Sequence, residues 1–219
     1  MDFNDIIKEI FEYDDYRHCT KKPCISASRL IGPKYKAKLQ LEGAESDESL
    51  IPYHLKRSST LGTAFHQYAE RTLGKLHPNY ITELFGEKEI DGITISGTSD
   101  LLVPTEHGTY VICDFKTGYG KERKADALEK DAMQMAIYRW LFKDHLKIED
   151  IGYSLFISQS NNNQEAYPVM LKDEVWIEEY IENYLFAVSQ QETSDCNDNI
   201  KYNGCLYCSF SNCEYRREK

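Results

Sequence analysis

The sequence predicts an α/β (α+β) domain in which helices and strands interleave, and three observations carry that reading. Asp91-Gly92 stands between two runs of strand-forming residues, and this pair is favoured in two-residue hairpins. Stretches with apolar residues at helical spacing lie on both sides of those strands, near 59–76 and 125–145. The chain has 219 residues, 41% of them hydrophobic, which suits one domain with a substantial core.

Taken in order, Ile6, Ile7, Ile10 and Phe11 predict an amphipathic helix over Asp5 to Tyr16, and Pro23 ends its neighbourhood. The segment Ile25-Ser26-Ala27-Ser28-Arg29-Leu30-Ile31 leads to Gly32-Pro33, and the polar, acidic run from Glu42 to Glu48 reads as a mobile loop. A second helix is expected from a cap at Ser59 or Thr60 through Leu61, Phe65, Ala69 and Leu73 to about Leu76, with His66 one turn in. Glu87 to Ile90 and Ile93 to Val103 read as strands, and a turn at Glu106-His107-Gly108 feeds a third over Thr109 to Thr117. A long helix follows from Ala125 to His145, then strands over Ile151 to Gln159 and Glu165 to Leu171, and a helix from Glu174 to Gln190. The tail is polar from Thr193 and ends rich in cysteine. Three regions of one domain result: a basic, helical 1–58, a core over 59–191 and a cysteine-rich 192–219.

The formal charge of −10 argues against indiscriminate coating of nucleic acid or an anionic membrane, yet it is unevenly distributed. Seven basic residues and no acid fall between Tyr16 and Leu41, and 116–124 carries a further excess of +3. A charge run is commonly a solvated face; the alternative is a surface for phosphates. The N-terminus lacks the charged and apolar regions of a secretory signal, no apolar run approaches spanning length, and seven cysteines are an odd number. A soluble, cytoplasmic protein with thiols or metal-bound cysteines, and no membrane partner, is the expectation.

If the hairpin turn is centred on His107, antiparallel pairing sets Asp100 opposite Asp114, Leu102 opposite Ile112 and Thr98 opposite Lys116. Facing carboxylates repel unless a cation intervenes, and alternation returns Lys116 to the face of Asp114. A hard divalent cation held by carboxylates activates water and offsets phosphoryl charge, and a neighbouring lysine can hold that water. The plainer alternative is a hairpin whose acids project into solvent. Val111, Cys113 and Phe115 fill the opposite, apolar face.

Four ordered motifs then stand out: Gly62-Thr63-Ala64-Phe65-His66; Ser96-Gly97-Thr98-Ser99-Asp100-Leu101-Leu102; Asp114-Phe115-Lys116-Thr117-Gly118; and Gln134-Met135-Ala136-Ile137-Tyr138. Their order resembles the PD-(D/E)XK nuclease superfamily, specifically its RecB-like branch, which includes CRISPR adaptation nucleases and phage exonucleases. The resemblance implies a restriction-endonuclease-like core, a central mixed sheet flanked by helices. It implies that His66, Asp100, Asp114 and the carbonyl of Phe115 bind Mg²⁺ or Mn²⁺, and that Lys116 positions the attacking water. Gln134 and Tyr138, four apart on one helical face, match an element that the family places on the DNA-facing wall; the alternative is an amide and a phenol packed in the core. An acid on the strand before Asp100 belongs to the pattern, and Glu87 and Glu89 are the candidates. Lys121 and Arg29 represent the two basic tracts as DNA contacts.

Cys205, Cys208 and Cys213 form a C-x2-C-x4-C arrangement. It is similar to the late cysteines of RecB-like nucleases that hold a 4Fe-4S cluster, with Cys19, Cys24 or Cys196 as the fourth ligand. An iron–sulfur cluster, a Zn²⁺ site and free thiols all remain open. Cys113 reads as a core residue. The function expected is a divalent-metal-dependent DNA nuclease, an exonuclease rather than a site-specific endonuclease, with a helicase, recombinase or adaptation complex as a candidate partner. The alternative is a non-catalytic DNA-end or partner-binding module that keeps the nuclease fold.

Overall fold

The structure, a computed structural model, describes residues 21–44, 51, 53–190 and 209–210. The helix expected over Asp5 to Tyr16, the loop at 45–48 and Cys205, Cys208 and Cys213 lie outside the described residues.

The elements are β1 (Cys24–Ser26), α1 (Ala27–Leu30), α2 (Lys34–Leu41), α3 (Tyr53–Leu76), β2 (Ile81–Ile90), β3 (Ile93–Pro104), β4 (Tyr110–Gly118), α4 (Ala125–Phe142), β5 (Ile151–Ser158), β6 (Gln164–Met170) and α5 (Glu174–Ser189). Helices and strands interleave as the sequence predicts. Asp91 and Gly92 both have positive φ, 50° and 73°, the backbone of a two-residue turn that matches strand twist. The helix α3 starts at Tyr53, upstream of the expected caps. The reason is local: Thr60 and Thr63 donate their hydroxyls back to the carbonyls of Lys56 and Ser59, so the side chains serve helix interior instead of a terminus. At its other end α4 stops at Phe142, where His145 and Leu146 both donate to the Phe142 carbonyl in a closing turn.

The six strands form one mixed sheet. Down its length the order is β1-β3-β4-β5-β6, and β2 pairs with β3. β1 runs parallel to β3, β4 parallel to β5, and the remaining pairs are antiparallel. A parallel β4–β5 pair needs a crossover, which α4 supplies. The β6 edge carries Pro168, which lacks an N–H to offer a further strand.

Two apolar clusters lie on the two sides of the sheet. Ala69, Phe65 and Leu73 of α3 pack on Leu101, Cys113 and Phe115. The larger cluster joins Ile25, Ile95, Leu102 and Ile112 to Met135, Ile137 and Trp140 of α4 and to Ile177, Ile181 and Leu185 of α5. Because α4 lies between the sheet and α5, it is apolar almost all round from Met135 to Phe142. Phe210 packs on Tyr35 and Leu39, which brings that part of the tail against α2. Among the described residues, no helix is long and apolar enough to cross a membrane.

Candidate active site

Strand pairing between β3 and β4 follows the expected register from Pro104–Tyr110 to Leu101–Cys113 and there ends. Asp100–Asp114 and Thr98–Lys116 are not rungs. Thr98 pairs with Phe85, and Lys116 pairs with Phe156. Strict alternation would put Ile95 and Leu101 on one face of β3, yet they belong to different clusters, so alternation slips once between them. At that slip the Asp100 carboxylate accepts the Phe115 N–H at 2.7 Å. The two aspartates are therefore brought together by a splitting of strands and not by a ladder.

Three elements converge on this split. The helix α3 comes close because Gly62 has no side chain; a Cβ there would sit 3.0 Å from Thr117 Oγ1. One turn on, His66 Nδ1 lies 3.4 Å from Asp100 Oδ1. Glu83 of β2 completes the group: one ligand atom each from His66, Glu83 and Asp100 lie within 4.8 Å of one another. On the α4 side, Lys116 Nζ is 2.5 Å from Asp114 Oδ2 and donates to Gln134 Oε1 at 3.0 Å. Gln134 Nε2 in turn donates to Tyr138 OH at 2.6 Å.

The electrostatics follow from burial. Burial is the largest influence on Asp114 and raises it, Lys116 opposes, and Asp100 and Asp131 add to the rise, so its pKa is pushed up to about 6. Burial pulls Lys116 down, but the Asp114 carboxylate at 2.5 Å, with the charges of Asp131 and Asp100, more than offsets this, and the net shift is upward. For His66 too, burial lowers and the hydrogen bond and charge of Asp100 raise, with a net rise. Burial and the Asp114 charge push the Cys113 thiol up to about 12, in keeping with a core residue.

A stability consequence can be measured. An acid whose folded pKa exceeds its unfolded value binds more protons folded than unfolded between the two, so stability falls as pH rises through that window. For Asp114 the window runs from 3.8 to about 6. The metal-free protein should therefore lose on the order of 2–3 kcal/mol across it relative to Asp114→Asn, read by urea unfolding in EDTA. An equal pH slope in the two proteins would remove this account of Asp114.

The donor set fits a hard or borderline divalent cation: carboxylate oxygens from Glu83 and Asp100, one imidazole, and a buried Asp114 Oδ2 that meets Lys116 by charge without a well-directed hydrogen bond. A family profile described as the PD-(D/E)XK nuclease superfamily matches residues 76–213. The chain belongs to the PD-(D/E)XK nuclease superfamily. His66 precedes the matched stretch, so its place here rests on geometry. Among solved structures, the protein SSO0001 is similar at 21% identity and a TM-score of 0.64, over 100% of this chain and 98% of that one, which shows a shared fold. A candidate exonuclease of Eubacterium rectale is similar at 12% identity and TM-score 0.46, over 93% and 96% of the two chains. A phage-related exonuclease of Haemophilus somnus is similar at 14% and 0.45, over 80% and 95%. No curated protein matches the chain.

Within this PD-(D/E)XK domain, His66, Asp100, Asp114, Lys116 and Gln134 of the expected set come together, and the Phe115 backbone joins them through its N–H. Glu87 and Glu89 do not: they pair with Ser96 and Thr94, further along the hairpin, and Glu87 forms an ion pair with Lys21. Tyr138 is 4% exposed, and its ring lies where a side chain on Gly97 would stand, 2.6 Å from that Cβ. It is packed in the core, supporting Gln134, instead of lining a DNA-facing wall. Arg29 donates to Gln40 Oε1 at 3.2 Å, between α1 and α2, and Lys121 lies exposed in the loop after β4. Glu83 was missed, although the register of the Asp91-Gly92 hairpin, carried back along β2, sets it opposite Asp100.

Proposed function

We propose that this superfamily member is a divalent-metal-dependent DNA nuclease of the RecB-like kind, an exonuclease that hydrolyses phosphodiester bonds with water, on a core spanning 59–191. The observation that carries the reading is the meeting of His66, Glu83 and Asp100 beside the Asp114–Lys116 pair. His66, Glu83, Asp100 and Asp114 would hold Mg²⁺ or Mn²⁺. Bound there, the cation lowers the pKa of water and offsets charge on the phosphoryl group.

The protein's own part falls chiefly to Lys116. Its ammonium, kept charged by Asp114 and aimed by Gln134, donates hydrogen bonds to the attacking water and to the phosphoryl oxygens as their charge grows. Tyr138 fixes the Gln134 amide, so the lysine has little freedom to reorient. Phe65 and Phe115, edge to face at 5.7 Å, form an apolar wall beside His66 that limits water at the site. Among the described residues no helix-turn-helix or zinc finger is present, which supports contacts to the DNA backbone with low base specificity.

Digestion of linear single- and double-stranded DNA tests the reading. Breakdown to short products in Mg²⁺ or Mn²⁺ and none in EDTA is expected; cleavage that persists in EDTA, or no cleavage with either ion, removes it.

A further inference from the structure

A second polar cluster adjoins the carboxylates, and none of the steps above uses it. Asp131 of α4 is 2% exposed, yet it holds a guanidinium: Arg123 donates from Nε to Oδ2 at 2.8 Å and from Nη2 to Oδ1 at 2.6 Å. Ser154 Oγ donates to Oδ2 at 2.7 Å, and Lys116 Nζ lies 4.0 Å from Oδ1. One buried carboxylate thus links the lysine of the site to an arginine in the loop between β4 and α4. The two-point pair fixes the plane of the guanidinium and uses two of its five N–H donors. Unlike Asp131, the Arg123 side chain is 22% exposed.

The loop that carries it is itself tied down. Arg123 N–H donates to Tyr167 OH, which donates to Glu165; Asn163 donates to the Lys121 carbonyl and Ser160 to that of Tyr119. An arginine held in one orientation, on a braced loop, beside the lysine of a nuclease site is arranged to meet a phosphate.

We infer that Asp131 is a positioning residue that presents Arg123 to a backbone phosphate of the DNA strand beside Lys116; of the reading above, this rests on DNA as the bound partner. Arg123 makes the contact and Asp131 acts through it. Charge alone predicts the opposite sign, because deleting a carboxylate near a polyanion should tighten binding.

The test is fluorescence anisotropy of a labelled single-stranded oligonucleotide with the full chain in Ca²⁺, across a series of KCl concentrations. Arg123→Gln and Asp131→Asn should each weaken binding about tenfold and each reduce the salt slope by about 0.7, the loss of one single-strand phosphate contact. The double variant should be no weaker than Arg123→Gln, and Arg123→Lys should restore the slope with part of the affinity. Thermal melts accompany each protein; should Asp131→Asn not fold, Arg123→Gln and Arg123→Lys decide. Binding by Asp131→Asn as tight as the parent's, or an unchanged slope in Arg123→Gln, overturns the inference. A parent that binds DNA without cutting it removes the nuclease reading and leaves this one standing. A parent that cuts while both variants match its KM removes this one alone, and a parent that binds no DNA removes both.

Discussion

Asp114→Asn is expected to abolish DNA cleavage, by about 10³-fold or more, and to make the metal-free protein more stable above pH 6 than the parent. Both effects come from one buried carboxylate. Its charge is unwelcome in the fold, with burial, Asp100 and Asp131 together outweighing the help of Lys116. The amide keeps the shape and drops the charge, while Lys116 retains Gln134 at 3.0 Å and Asp131 at 4.0 Å. Lys116→Ala should match it in lost cleavage and diverge in stability, because it strands Asp114 without its cation. Breaking a buried pair from that side costs about 3–5 kcal/mol. Nuclease assays in Mg²⁺ and Mn²⁺, beside urea unfolding in EDTA, read both quantities. Parent-level cleavage by either variant would sink the assignment; equal unfolding of the two would show that the pair is not asymmetric in this way.

The parts of the fold legible in the sequence are those set by neighbours along the chain. Asp91-Gly92 announces a hairpin because few other pairs accept two positive φ angles, and the register about His107 holds through four rungs. What the sequence conceals is where a regular pattern stops. Nothing local to Asp100 says that β3 and β4 part after Leu101–Cys113, since the cause is the capture of the Phe115 N–H by a side chain fifteen positions away. The Gln134–Tyr138 spacing puts both on one helical face, but burial of the phenol depends on Gly97 across the sheet, which no helical pattern reveals. The partnership of Asp131 with Arg123 is hidden in the same way: Ser154 of β5 holds the carboxylate and Tyr167 of β6 the Arg123 backbone, both distant in sequence.

Glu83→Gln should weaken Mn²⁺ binding by roughly 10–100-fold in a calorimetric titration without DNA, whereas Glu87→Gln and Glu89→Gln should leave it unchanged. Those two glutamates sit further along the hairpin, on rungs with Ser96 and Thr94, and Glu87 has Lys21 as its ion-pair partner. Glu83 is different in backbone as well as in place. Its φ is +50°, a region that costs a non-glycine residue about 1 kcal/mol or more, and the β2–β3 ladder has no rung at Glu83–Asp100 although both flanks keep register. Strain of this kind persists where the surroundings impose it, here at the residue whose carboxylate joins His66 and Asp100. Glu83→Gly separates strain from ligation. Glycine accepts the same φ freely, so the metal-free variant should unfold at equal or higher urea than Glu83→Gln, yet bind Mn²⁺ no better. If Glu83→Gly kept the parent's affinity, the carboxylate would not be a ligand. If instead Glu87→Gln lost it, the acid that serves the site would lie along the hairpin, and the positive φ of Glu83 would need another explanation.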